Sequence, residues 1–170
     1  MEYLAGTSLG SYLKLQHNSK MCEQLCKRIF LNLGKALAYM HSINIAHRDI
    51  KLENIILDQE LNPKIIDFGF STCIEKGKKI KIFCGTPSYM SPEVVQRKDY
   101  RGEGADVWAL GVMLFVCLTG IFPFKGSTDQ ELYKKINNSD YPRGELLFSR
   151  SLSDLMSKML KINPDERISS

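Results

Sequence analysis

Eighteen consecutive residues, Val107 to Phe124 (VWALGVMLFVCLTGIFPF), carry no charge, and any fold of this chain must take most of them out of water. Eighteen is the lower edge of a membrane span. A helix that is apolar on every side is equally the central helix of a large core. The core reading is favoured, because Asp106 stands directly before the stretch and Gly111, Gly120 and Pro123 interrupt it. A chain of 170 residues has room for such a core, since a domain of this size buries roughly 70% of its unfolded surface.

The flanking segments have their own periods. From Lys20 to Ser42 apolar residues recur at Leu25, Ile29, Leu33 and Leu37, with Phe30 and Met40 on the same broad face, which predicts a long amphipathic helix. The β-rich runs NIILD and PKIID, joined by Gln59-Glu60-Leu61-Asn62, predict a hairpin. A polar, lysine-bearing segment follows DFGF and ends near Pro92, and beyond the apolar stretch DQELYKKI and SLSDLMSKML are helical in texture. The expected unit is therefore mostly α, with one strand pair and its irregular backbone in the middle. At the N-terminus MEYL is apolar, AGTSLG reads as a loop, and a helical pattern starts at Leu9.

Composition excludes several classes. A net charge of +4 is too mild to argue for nucleic acid. Cys22, Cys26, Cys73, Cys84 and Cys117 form no even framework. Cys22 and Cys26 share a helix face, but His17 is the only ligand type near them, so reduced thiols in a cytoplasmic protein are expected rather than zinc. No charged n-region with an apolar core marks a secretion signal.

The chemistry-bearing residues lie in the irregular middle. HRDIKLEN sets Asp49, Lys51 and Asn54 in one loop between the long helix and the hairpin, and Asp67 stands at the hairpin's far end. A hairpin returns its two ends to each other, so the four side chains can converge. Asp67 and Asn54 offer hard oxygens for Mg²⁺, which binds through one or two carboxylates together with substrate phosphates. Asp49 is placed to accept a hydroxyl proton, and Lys51 to neutralise charge on a transferring phosphoryl group. Singly, each motif has a structural reading; as an ordered set they are specific.

His47-Arg48-Asp49 with Lys51 and Asn54, then Asp67-Phe68-Gly69, then Ser91-Pro92-Glu93, resembles the eukaryotic protein kinase catalytic domain. The likeness continues through Gly85-Thr86-Pro87, Tyr89, Asp106, Trp108 and Gly111 to Arg167, and so covers essentially the whole chain. It implies Asp49 as catalytic base, Lys51 on the γ-phosphate of ATP, and Asn54 and Asp67 as Mg²⁺ ligands. It also implies that Phe68 stacks with His47 above Asp106, that Glu93 pairs with Arg167, and that Thr86 bridges Asp49 and Lys51. Lys51 and Thr86 are similar to the serine/threonine branch, and FCGTPSYMSPE with DVWALGVMLF to its calcium/calmodulin-dependent group.

By the same resemblance, residues 1–8 are the hinge between two lobes, with the backbones of Glu2 and Leu4 toward adenine and Ile56 beneath it. Residues 9–170 are the larger, helical lobe. The five-stranded N-terminal lobe, its glycine-rich loop and its strand lysine are expected to be absent, as is the final helix. Two readings follow: a piece of an active serine/threonine kinase with protein substrates, inactive alone, or a non-catalytic binding or decoy module. Arg48 beside Asp49 suits control by an activation-segment phosphate, yet Ile82 stands at the usual acceptor position among Lys76, Lys78, Lys79 and Lys81. Activity without that phosphate is the expectation, with Ser71 or Thr72 as the alternative acceptors. Thr7 and Ser8 replace a glycine and an acidic residue of the family pattern, so a ribose and substrate-arginine contact is expected to be lost. Glu53 hints at basic substrates, and Phe83, Pro87 and Met90 either line a pocket for the residue after the phosphoacceptor or pack as core.

Overall fold

The computed structural model describes residues 5–74, 78–143 and 149–170. Strand β1 (Thr7–Ser8) leads into helix α1 (Leu9–Leu15), whose N-terminus is capped by Ser8, its Oγ accepting from the Ser11 N–H at 3.1 Å. Helix α2 (Glu23–Ser42) begins three residues later than the periodicity suggests, because Cys22 is already extended. Strands β2 (Ile45–Ala46), β3 (Ile55–Leu57), β4 (Pro63–Ile65) and β5 (Thr72–Cys73) follow. Helices α3 (Pro92–Val95), α4 (Gly102–Thr119), α5 (Asp129–Asn137) and α6 (Arg150–Met159) complete the order.

Helix α4 is long and apolar enough to cross a membrane, yet 78% of it is buried inside the protein. It packs on α2 and α6, with Trp108, Met113 and Phe115 wholly enclosed. The uncharged stretch is not one helix. The helix starts five residues earlier, at Gly102, and stops where Gly120 turns left-handed (φ 74°). Beyond the turn Phe124 folds back to stack on Trp108, ring centroids 5.5 Å apart and nearly parallel. From the other side α2 presents Ile29, Leu33 and Leu37, the residues its period places on one face.

The expected hairpin forms, with Ile55 opposite Ile65 and Leu57 opposite Pro63. Asp58 closes its loop by accepting from the N–H groups of Glu60 and Asn62 at 3.0 and 2.8 Å. The single strand pair expected from the sequence is a correction to make, because the described residues hold two small sheets. Thr7 and Ser8, read as loop, add β1 antiparallel to β3. Gly6 permits this, since a Cβ there would lie 2.3 Å from the Leu57 carbonyl oxygen. Strands β2 and β5 form the second sheet, Ile45 opposite Cys73 and Ala46 opposite Thr72. Beside it the start of α4 approaches so closely that a Cβ on Gly102 would lie 2.4 Å from the Ala46 Cβ.

Candidate active site

The loop from His47 to Asn54 is pinned to the core helix. One carboxylate, Asp106 on α4, accepts from the backbone N–H of His47 through Oδ2 and of Arg48 through Oδ1, both at 2.8 Å. Arg48 has a positive φ of 67°, a conformation that a residue with a side chain adopts at a cost of about 1–3 kcal/mol. The paired bonds to Asp106 hold it there. His41, at the end of α2, adds its Nε2 to Asp106 Oδ2 at 3.0 Å.

His47 joins this loop to the hairpin. Its Nδ1 accepts from the Asp49 N–H at 3.3 Å and its Nε2 donates to the Ile66 carbonyl at 3.0 Å, a pattern that needs the proton on Nε2. Phe68 meets the His47 ring edge-on at 5.1 Å and is otherwise 49% exposed. The two ends of the hairpin also touch directly, the Ile66 N–H donating to the Asn54 carbonyl at 2.9 Å. Asp67 is thereby held next to Asn54, in a left-handed conformation (φ 62°), with Oδ1 accepting from the Gly69 N–H at 3.2 Å.

Asp49 lies at the centre and is buried. Lys51 Nζ donates to its Oδ2 at 2.6 Å and to Thr86 Oγ1 at 3.2 Å, and Thr86 Oγ1 in turn donates to Asp49 Oδ1 at 3.0 Å. Asn54 Nδ2 donates to the Asp49 carbonyl and to Oδ2, at 2.9 and 3.1 Å. That orients the amide with its own oxygen away from Asp49, as an acceptor. Among the described residues the Thr86 hydroxyl is the one donor to Asp49 Oδ1, which leaves a lone pair on that oxygen for an incoming hydroxyl.

The donor set suits Mg²⁺. Asn54 and Asp67 supply hard oxygens at adjoining ends of the hairpin, and no group of three His, Cys, Asp or Glu side chains is gathered anywhere among the described residues. One carboxylate and one amide, completed by phosphate and water, is how this cation is usually held. Ile56, half-buried on β3, packs beneath Gly6. Glu2 and Leu4 lie outside the described residues, as does Lys76.

Behind the site, Arg167 and Glu93 meet in a fork, Nη1 to Oε1 at 2.7 Å and Nη2 to Oε2 at 3.0 Å, with side chains 1% and 6% exposed. Ser71 Oγ donates to the Phe68 carbonyl at 2.7 Å, and Thr72 is in β5. Ser91 is buried with no partner for its hydroxyl among the described residues. Phe83 rests against Tyr100, while Pro87 is exposed and Met90 partly buried, so the three do not pack as one core cluster. Two contacts escaped the sequence: His41 on Asp106, because a histidine ending a helix has many ordinary roles, and Tyr100 on the segment carrying Ile82.

The family profile described as "Protein kinase domain" matches residues 1–170. Among similar proteins, the carbon catabolite-derepressing protein kinase of Candida glabrata is 43% identical over 169 residues, covering 99% of this chain and 27% of that protein. CBL-interacting protein kinase 11 of Oryza sativa subsp. japonica is 41% identical, covering 99% of this chain and 34% of its own length. NUAK family SNF1-like kinase 1 of Mus musculus is 38% identical over 98% of this chain and 25% of its own. The chain thus spans about a third or less of the length of these relatives.

Proposed function

The chain belongs to the protein kinase family, with serine/threonine kinases among its relatives, and from that premise we propose that it carries the catalytic loop of a kinase that transfers the γ-phosphoryl group of ATP to serine or threonine hydroxyls of proteins. The observation that carries the proposal is the bracing of Asp49 by Lys51, Thr86 and Asn54. Asp49 Oδ1 takes the proton of the substrate hydroxyl. Lys51 holds its charge between Asp49 and the position of the γ-phosphate, and Thr86 keeps Asp49 and Lys51 in register. Asn54 and Asp67 would hold Mg²⁺, and ATP with Mg²⁺, when bound, would supply the phosphoryl group and neutralise its charge. Positioning and electrostatics suffice for this reaction, and no covalent intermediate on the protein is needed.

Residues 1–8 serve as the hinge, with Glu2 and Leu4 at the adenine and Ile56 below it, and residues 9–170 as the larger lobe of a longer intracellular kinase. The half-exposed rings of Phe68 (49%) and Phe70 (45%) beside Asp67 support this division, since apolar surface next to a nucleotide site suits cover by a second lobe. The isolated 170 residues then have negligible activity. The test is the intact mass and N-terminal peptide of the native protein, followed by a transfer assay on that native form. Phosphate incorporation that falls about 10²–10⁴-fold with Asp49→Asn supports the reading. No transfer by the native protein, with Asp49 intact, turns the reading to a non-catalytic binding module.

A further inference from the structure

Segment 79–85 runs over the protein with little to hold it. Among the described residues, each of its hydrogen bonds to another segment goes to one residue, Tyr100. The Ile80 N–H donates to the Tyr100 carbonyl at 2.8 Å, and the Tyr100 N–H returns to the Ile80 carbonyl at 3.2 Å. Two residues on, the Tyr100 hydroxyl donates to the Ile82 carbonyl at 3.2 Å. The ring, 2% exposed, lies against Phe83 with centroids 6.1 Å apart. Burial raises the phenol above its ordinary range, against the hydrogen bond and charge of Arg48, which faces the hydroxyl. The hydroxyl therefore stays a donor at neutral pH. Arg48 is itself fixed, its Nε donating to the Phe70 carbonyl at 2.6 Å.

We propose that Tyr100 is a positioning residue: its hydroxyl, set between Arg48 and the Ile82 carbonyl, holds segment 80–86 in place without an added phosphate and so keeps Thr86 against Asp49 and Lys51. Three residues separate Ile82, which bears the held carbonyl, from Thr86, whose hydroxyl makes the 3.0 Å bond to Asp49. Gly85 lies between them, and with φ at 121° and its Cβ position 3.1 Å from the Arg48 carbonyl oxygen it brings the backbone close against the loop that carries Asp49. Ile82, 68% exposed, contributes its carbonyl here and not its side chain. The purpose assigned to the clamp rests on the kinase reading; the clamp itself does not.

The measurement is hydrogen exchange by mass spectrometry on the 170-residue chain, with the intact mass showing that no phosphate is attached. Tyr100→Phe keeps the ring and removes the donor. Loss of that one bond is expected to let the hydrogen-bonded amides of Ile80 and Tyr100 exchange about tenfold faster, while α4 amides keep their protection. Trypsin is expected to cut after Lys79 and Lys81 sooner in the same variant. 4-Aminophenylalanine at position 100 restores a donor and is expected to bring exchange back to within about twofold of the parent. Unchanged protection in Tyr100→Phe would mean that the ring alone packs the segment, and would overturn the proposal. If the Phe variant does not fold, the aminophenylalanine protein decides, with retained protection in support and lost protection against. No phosphoryl transfer enters the readout, so a failure of the kinase reading and a failure of the clamp are seen separately.

Discussion

Replacing Arg167 with methionine tests how far the core depends on one charge. All five guanidinium N–H donors have acceptors: both Glu93 oxygens, the Gly104 carbonyl at 2.7 Å, and the Lys161 carbonyl from Nε and Nη2 at 3.1 and 2.9 Å. The guanidinium also lies 5.1 Å from the Trp108 ring centroid. Methionine preserves much of the stem but leaves the Glu93 carboxylate buried without a counter-charge, a change that typically destabilises by about 3–5 kcal/mol. The orphaned Gly104 and Lys161 carbonyls push toward the upper end, at about 1–3 kcal/mol for each buried group left unpaired. For a chain of this size each kcal/mol moves the melting midpoint by about 2–4 °C, so a fall of about 6–20 °C is expected. Urea titration of the parent and of Arg167→Met, followed by circular dichroism, gives the free energy directly. The double variant Arg167→Met with Glu93→Gln removes the stranded charge and should recover part of the loss. A single-variant cost below about 1 kcal/mol, the worth of an exposed pair, would refute the reasoning.

Thr86→Val removes the hydroxyl shared by Asp49 and Lys51 without changing shape. If the proposed phosphoryl transfer is right, it should lower the kcat of the native protein about 10- to 100-fold, as expected for one bond to charged groups, with a smaller effect on the KM for ATP. Two glycines should respond in opposite directions in thermal melts. Gly34 is inside α2 with nothing within 4 Å of its Cβ position, so Gly34→Ala should stabilise by about 1 kcal/mol. Gly120 has φ at 74° and a Cβ position 2.7 Å from the Asn18 carbonyl oxygen, so Gly120→Ala should destabilise by about 1–3 kcal/mol. Burial, then the negative charges of Cys22 and Glu23, push the Cys26 thiol from 9.0 to about 12. The unfolded thiol ionises first, so this contribution is complete below pH 9 and is lost as pH rises toward 12. Melting midpoints should fall over that window, less steeply in Cys26→Ala.

The candidate site's convergence was legible because its signal is local: Asp49, Lys51 and Asn54 stand within six residues, and one hairpin suffices to bring Asp67 back to them. Helices α2, α5 and α6 were legible through their periods. Strands β1, β2 and β5 were not, because a two-residue strand has no alternation to read, and its pairing is decided by what approaches it. The membrane alternative for Val107–Phe124 could be weighed in sequence but decided only by packing, since lipid and a protein interior select the same side chains. Tyr100 was invisible for a further reason. It acts through its hydroxyl on a backbone carbonyl 18 residues away, and no side-chain pattern encodes such a contact.

The approach of α4 to β2 has a consequence for what this protein tolerates in evolution. Ala46 and Gly102 touch almost backbone to backbone, with the Ile74 and Ile80 side chains 3.0 and 3.1 Å from the Gly102 Cβ position. One helical turn after Gly102 comes Asp106, and next to Ala46 comes His47, whose N–H that carboxylate holds at 2.8 Å. A methyl group at position 102 must separate helix from strand, and the separation falls on the bond that shapes the catalytic loop. In a saturation-mutagenesis map, position 102 should therefore fall in the same class as the catalytic loop, although it touches no reactant.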